Sequence, residues 1–291
     1  MSNRGITLVL GGIGIKGVAH FGTLRALCER GIPIRKIVCT GLSSIAAAQH
    51  SLNMDPIPIM KHVARFFLEH KGKLWALERF GGINENNEGV LLPGLSYYLR
   101  ARTFCRSNMR KISILSWNMI DELLKSDFFR WKDKEPRAPI AVSAIDLEEG
   151  REVLLNKGSI IDKLRVSLSF PGILPPVKFD GRLLVNSSLY CELPLGLLSD
   201  EDRPIVAIDI PNGSNQLRLK SIIDILAYID ELRGHEIKQF MLNKPDHIFT
   251  LYNLQDFHWG NYILMPKLAS IAYRQMSSQL KQSKGFLALN I

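Results

Sequence analysis

The chain has 291 residues, of which 46% are hydrophobic and 22% charged, and its formal net charge is +9 at pH 7. This composition is ordinary for a globular protein, and it excludes a disordered or collagen-like chain. No apolar run approaches the roughly 20 residues that span a bilayer, so no membrane-spanning helix is expected. The short apolar run near the N-terminus has no evident cleavage site, so no signal peptide is expected either.

The four cysteines, Cys28, Cys39, Cys105 and Cys191, form no CxxC pair and show no zinc-site spacing with histidine. Buried free thiols in a reducing cytosol are therefore predicted. We expect no metal ion and no cofactor.

The basic charge is concentrated between Arg100 and Arg137, where ten Lys and Arg residues stand against five acids. Such a segment favours contact with anionic lipid headgroups, and the alternative is an ordinary solvated surface. Nucleic-acid binding is not expected.

The first fifty residues alternate between strand and helix patterns. Residues 6–10 are β-rich and apolar on both sides, and a helical apolar spacing follows over 16–30. A second strand is predicted at 34–40 and a second helix at 44–52. This order predicts a parallel sheet with helical crossovers.

The rest of the chain continues an α/β pattern with one helical block. Helices are predicted at 56–68, 74–78, 95–102 and 117–125, with a polar loop at 81–89. Strands and hairpins then follow at 139–146, 151–155, 177–185, 204–210 and 247–253, and helices at 159–169, 217–242 and 267–281. We predict one domain over 1–291, with a core at about 6–212, a helical insertion at about 56–135 and C-terminal elements at about 213–291.

The segment IVCTGLSSIAAA, residues 37–48, has the order strand, tight turn and helix. Such a turn presents a nucleophilic serine when it has the form G-x-S-x-G. Ser43 stands at the serine position after Gly41, but the second glycine is replaced by Ile45. The alternative is that Ser43 or Ser44 only caps the following helix.

Several segments occur in an order that resembles the patatin-like phospholipase family. They are ITLVLGGIGIKGVAHFGTLRALCERGIPIRKIVCTGLSS, AVSAIDLEEGREVLL, SLSFPGILPPVKFDGRLLV, ELPLGLL and PIVAIDI. The resemblance covers about residues 6–210. It implies a three-layer α/β/α fold with a mainly parallel central sheet, and hydrolysis of lipid acyl esters by a Ser-Asp dyad.

The resemblance assigns the oxyanion turn to a glycine-rich segment, the residues Gly12, Ile13, Gly14, Ile15, Lys16 and Gly17. Backbone N–H groups there would stabilise the negative oxygen of a tetrahedral intermediate. Ile13 replaces a glycine of the family pattern and is expected to obstruct this turn. A phosphate-binding turn is the alternative, although no partner motif supports it.

By the same resemblance Ser43 takes the nucleophile position and Asn186 the position of the catalytic aspartate. A carboxylate can accept the serine proton, whereas the neutral amide of Asn186 has no useful basicity. Asn186 is still expected to hydrogen-bond Ser43. Other candidate bases are Asp146, Asp180, Asp209, His20 and His50, and none of them is favoured.

All three motifs are therefore altered, which predicts a catalytically inactive or strongly impaired homologue that binds a lipid, an acyl chain or a protein partner. That partner would be an active patatin-like relative or a second copy. The alternative is an active lipid acyl hydrolase or acyltransferase that uses Ser43 with a non-standard base. We expect a cytoplasmic protein, peripheral to the inner membrane surface.

Overall fold

A computed structural model describes most of the chain, namely residues 5–70, 111–113, 115–125, 136–211, 222–254, 257, 262–283 and 286. The predicted helices at 74–78 and 95–102 and the loop at 81–89 lie outside these residues, as does most of the basic segment. The bounds of the single domain and of its insertion therefore stay predictions.

Strands and helices alternate through the described residues. In chain order they are β1 (Ile6–Leu10), α1 (His20–Glu29), β2 (Ile34–Cys39), α2 (Ser43–Ser51), α3 (Pro56–Glu69), α4 (Trp117–Lys125), β3 (Ile140–Asp146), β4 (Arg151–Leu155), α5 (Ile160–Leu168), β5 (Val177–Phe179), β6 (Arg182–Asn186), β7 (Ile205–Asp209), α6 (Ile222–Met241), β8 (His247–Thr250) and α7 (Met265–Gln282). Short 3-10 helices lie at Gly14–Ala19, Asp200–Asp202 and Tyr262–Leu264.

The strands form one sheet whose centre is parallel. β1 pairs in parallel with β2 on one side and β7 on the other. β2 in turn pairs in parallel with β3, and β7 pairs in parallel with β8. β4 and β6 pair antiparallel with β3, and β5 pairs antiparallel with β6. The predicted mainly parallel sheet is therefore confirmed, with an antiparallel region at one end.

Two strands share one edge of β3. Residues 140–142 of β3 pair with residues 37–39 of β2, and residues 144–146 pair with residues 184–186 of β6. β4 occupies the opposite edge, because it pairs with residues 142–146. The last residues of β2 and of β6 therefore lie next to each other along this edge of β3. This register brings Asn186 close to the turn that follows β2.

Side chains of the central strands alternate between two cores, as the two-residue period of a strand requires. On β1, Leu8 and Leu10 face a large core that includes Leu24 of α1 and Leu268 of α7. Val9 faces a smaller core on the other side, against which Met241 of α6, among others, packs. Helices cover both faces of the sheet, so the predicted three-layer α/β/α fold is confirmed.

The predicted elements agree with the observed ones within about two residues at most ends, and α4 agrees at both. The hairpin turn between β5 and β6 is also as expected, since Asp180 and Gly181 both have positive φ. The predicted helix over 16–30 is different. A 3-10 helix covers its first turn and α1 begins only at His20, because the chain leaves β1 through an irregular turn with positive φ at Gly12 and Gly14.

Candidate active site

The turn after β2 is built around Gly41, which has a φ of +64°. This value lies in the left-handed region that residues with a side chain seldom adopt. Leu42 already has helical dihedral angles, and α2 begins at the next residue. Strand, left-handed residue and helix thus succeed one another within a few residues at the carboxyl end of a parallel strand, where active sites of α/β proteins gather.

Ser43 lies in the first turn of α2 and is completely buried. Its Oγ lies 2.5 Å from the Thr40 carbonyl oxygen, to which it donates, and it accepts a bond from the Thr40 N–H at 3.3 Å. The carbonyl oxygen of Leu10 is also 3.3 Å away. Its hydroxyl is therefore engaged by the backbone of β1 and of the turn itself.

Neither serine of the turn caps α2. Ser44 Oγ donates to the Gly41 carbonyl oxygen at 2.7 Å, and the N-terminal residue Leu42 makes no side-chain cap. The alternative expectation that one of these hydroxyls accepts a bond from a free helix N–H is therefore wrong, because both hydroxyls bond to carbonyl oxygens of the turn.

Asn186 ends β6 and has 2% of its surface exposed. Its Nδ2 donates to the Ser167 carbonyl oxygen, and its Oδ1 accepts from the Ser188 N–H at 2.6 Å. Both amide atoms are therefore bonded to backbone groups of neighbouring segments. The expected hydrogen bond between Asn186 and Ser43 is not among the bonds of the described residues.

The glycine-rich turn after β1 packs against the start of α2. A Cβ on Gly17 would lie 2.5 Å from the Ser43 backbone nitrogen, closer than real Cβ atoms come to other atoms. Ile13 is extended and half-buried at the start of the 3-10 helix, while Lys16 is half-buried within it. The two turns that the resemblance names are thus in direct backbone contact.

His20 stabilises the glycine-rich turn after β1 through a hydrogen bond. Its Nε2 donates to the Gly11 carbonyl oxygen at 2.6 Å, and its side chain is fully buried. Burial lowers its pKa from 6.5 to about 4, against the opposing effect of the Gly11 carbonyl bond. His20 is therefore neutral at pH 7 and positions the turn.

A chain of buried hydroxyl groups runs beneath the turn. Ser187 Oγ donates to Thr40 Oγ1 at 3.2 Å and lies 2.7 Å from Ser143 Oγ, which in turn donates to Glu152 Oε1 at 2.6 Å. Burial raises the pKa of Glu152, while the Ser143 bond acts in the opposite direction. Local sequence patterns could not reveal this chain, because its four members come from two strands and two turns.

A cavity of about 520 Å³ opens beside Asn186. Its lining is largely apolar, with Ile145, Leu174 and Val185 among the aliphatic side chains. The exposed side chains of Arg151 and Arg233 also contribute to it. This volume lies within the range that accommodates small organic ligands.

The other candidate bases have different partners. Asp146 Oδ1 accepts the N–H groups of Glu148 and Glu149 in the β3–β4 turn, and Asp180 is exposed at its hairpin tip. Asp209 Oδ1 lies 2.7 Å from Lys238 Nζ. Among the bonds of the described residues, none joins these three or His50 to Ser43 or Asn186.

No group of three or more His, Cys, Asp or Glu side chains within the described residues could hold a metal ion. Cys39 and Cys191 are buried, and burial raises the pKa of each to about 12, so both stay protonated. Cys28 is exposed, which makes its predicted burial wrong. Its position near the exposed end of α1 explains this, and Cys105 lies outside the described residues.

In the portion that the structure describes, no helix is long and apolar enough to cross a membrane.

The turn after β2 thus joins a parallel strand to a helix, packs on a glycine-rich turn and lies near a largely apolar cavity, at the end of the sheet where sites of α/β proteins gather. The profile of the patatin-like phospholipase family matches residues 8–198. This match covers more than half of the chain, and the chain belongs to that family.

Curated relatives extend the comparison. An uncharacterised NTE family protein of Mycobacterium bovis is 26% identical over 217 residues, which are 72% of this chain and 31% of that protein. Lysophospholipase NTE1 of Kluyveromyces lactis is 25% identical over 235 residues, 80% of this chain and 14% of that protein. The chain therefore spans less than a third of the length of these relatives.

Two solved structures are also similar. VipD of Legionella pneumophila has a TM-score of 0.46 and 12% identity, over 96% of this chain and 67% of that one. ExoU of Pseudomonas aeruginosa, in its complex with SpcU, has a TM-score of 0.42 and 16% identity, over 96% of this chain and 52% of that one.

Proposed function

We propose that this chain is a patatin-like lipid acyl hydrolase homologue whose site is catalytically inactive or strongly impaired, and that it binds a lipid or acyl chain. The observation that carries the proposal is the amide of Asn186. It stands where the family resemblance requires a carboxylate, and both of its polar atoms are already bonded to the backbone.

Acyl transfer needs a group that takes the proton of the nucleophile and returns it to the leaving group. An amide nitrogen donates hydrogen bonds and has no basic lone pair to offer. Losing one member of a catalytic group typically leaves about 10³- to 10⁴-fold catalysis over water, which comes from the oxyanion site and substrate binding. Here the half-buried Ile13 stands in the oxyanion turn, so even this remainder is reduced.

The cavity beside Asn186 supports the binding role. Its apolar lining suits an acyl chain, and the exposed Arg151 and Arg233 suit an anionic headgroup. The lysophospholipase name of the yeast relatives makes a single-chain phospholipid the first ligand to test. Pairing with an active relative or a second copy, and a peripheral position at the inner membrane surface, belong to the same proposal.

Hydrolysis of p-nitrophenyl butyrate tests the catalytic part. The wild-type protein is expected to hydrolyse it no faster than Ser43→Ala, within about twofold. Asn186→Asp alone is also expected to stay silent, because the carboxylate would then face the Ser167 carbonyl oxygen and Ile13 and Ile45 are unchanged. Turnover in the wild type that Ser43→Ala abolishes would contradict the proposal and favour an active hydrolase with a non-standard base.

A further inference from the structure

The geometry points to Gly41, and not Ser43, as the residue in the nucleophile position of this turn. The inference rests on the proposed function and deepens it. If it holds, the site has lost its nucleophile as well as its base, and Ser43 is a structural residue of α2.

The backbone supports this assignment first. A nucleophile elbow exposes its side chain by forcing one residue between strand and helix into a strained conformation. Gly41 has that conformation, with a φ of +64°, and it follows β2 by two residues. Ser43 instead belongs to the first turn of α2 and is not among the residues with positive φ.

The direction in which a side chain at position 41 would point also supports the assignment of Gly41. A Cβ built on Gly41 would lie 3.5 Å from Asn186 Nδ2, and no other described atom beyond its chain neighbours lies within 4 Å. A hydroxyl on that Cβ would come within hydrogen-bonding reach of the atom where a carboxylate oxygen would sit. Positions 41 and 186 are thus arranged like the two members of a catalytic dyad. Glycine provides no side chain at the first position, and asparagine provides an amide at the second.

Ser43 meets none of these conditions. Its hydroxyl is completely buried and lies 2.5 Å from the Thr40 carbonyl oxygen. Its backbone nitrogen is in close contact with the glycine-rich turn, at the point where a Cβ on Gly17 would lie. A substrate carbonyl has no described route to this hydroxyl.

The double substitution Gly41→Ser with Asn186→Asp tests the assignment. A fluorophosphonate supplies the electrophile: the new hydroxyl oxygen attacks phosphorus, fluoride leaves, and the hydroxyl proton passes to the new carboxylate. We expect one adduct on residue 41, formed at least tenfold faster than any adduct on the wild-type protein. Intact mass gives the stoichiometry, and peptide fragmentation separates residues 41, 43 and 44.

The matched control is Gly41→Ala with Asn186→Asp, which has the same backbone strain and carboxylate but no hydroxyl. It is expected to stay unmodified. An adduct on Ser43 in any variant overturns the assignment. So does a G41S/N186D protein that unfolds cooperatively on heating, and is therefore folded, yet stays unmodified.

If G41S/N186D shows no cooperative unfolding, the variant Gly41→Cys is used instead. Its thiol can ionise and react without a carboxylate partner. Because Gly41 is itself buried, iodoacetamide should alkylate this thiol more slowly than the exposed Cys28 but at least tenfold faster than the buried Cys39. Alkylation as slow as that of the buried Cys39 overturns the assignment.

Failure of this inference can be told apart from failure of the proposed function. A silent wild type together with a folded, unreactive G41S/N186D contradicts the Gly41 assignment alone. Wild-type turnover that depends on Ser43 contradicts both.

Discussion

At the scale of single residues, Asn186 and His20 have comparable roles. Each is buried, and each bonds to a carbonyl oxygen of a neighbouring segment, Asn186 to Ser167 and His20 to Gly11. An aspartate could not donate the first of these bonds, and a charged imidazolium would be costly at the second position. Asn186 and His20 thus stabilise the backbone of this site through hydrogen bonds from uncharged side chains.

His20 predicts how stability depends on pH. Its pKa is about 4 in the folded protein and about 6.5 in an unfolded chain. Below pH 6.5 the unfolded chain therefore binds a proton that the folded protein excludes, and the free energy of unfolding falls by about 3 kcal/mol between pH 6.5 and pH 4. Urea unfolding of wild type and His20→Gln across this range measures it.

The amide of glutamine can donate the same bond to Gly11 but does not titrate. The acid-dependent loss should therefore shrink in His20→Gln and persist in the control His235→Gln, whose side chain is exposed. Equal pH slopes for wild type and His20→Gln would contradict the account of His20.

At the scale of the elements, the contact between the glycine-rich turn and the start of α2 fixes the site. Gly17 makes this contact possible, since any side chain there would meet the Ser43 nitrogen at 2.5 Å and the Leu42 carbonyl carbon at 2.9 Å. Both neighbours are backbone atoms, so neither can rotate away. The distance between the two turns therefore depends on a single missing side chain.

Gly17→Ala is expected to lower the free energy of unfolding by about 1–3 kcal/mol or more, because overpacking usually costs this much. The control is Gly234→Ala within α6, where the nearest described atom outside the helix backbone, the Leu189 carbonyl oxygen, is 3.9 Å from the new Cβ. That change should be neutral or stabilise by up to about 1 kcal/mol, because alanine favours a helix. Thermal unfolding compares the two, and a Gly17→Ala protein as stable as wild type would refute the close contact.

The elements themselves were largely predictable from the sequence. β1 and β7 are short apolar runs between breakers, and α5 begins after the cap residue Ser159, so local pattern was enough. The site was predictable only in part. The hydroxyl chain from Thr40 to Glu152 joins segments more than a hundred residues apart in the chain, and local spacing does not encode it.

At the scale of the whole molecule, the antiparallel end of the sheet forms a wall of the cavity. Ile145 of β3 and Val185 of β6 are paired in register, and both line it. Leu189, in the turn that follows Asn186, lines it with 41% of its surface exposed. A ligand in this cavity would therefore lie against Asn186, which also lines it.

A fluorescent fatty acid tests that arrangement. We expect lysophosphatidylcholine to displace it from the wild-type protein, and Leu189→Glu to weaken binding about tenfold or more, because the substitution places a charge in an apolar lining. Leu68→Glu on α3 is the control, since Leu68 is similarly exposed but is not among the residues that line the cavity. Equal loss of binding in both variants would contradict an acyl site here.

We propose above all that the wild-type site has no working nucleophile. The most direct measurement is the intact mass of the wild-type protein after prolonged treatment with a fluorophosphonate. We predict an unchanged mass, because the Ser43 hydroxyl is buried and the neighbouring amide of Asn186 cannot accept a proton. A single stoichiometric adduct on Ser43 or Ser44, at the start of α2, would contradict this prediction.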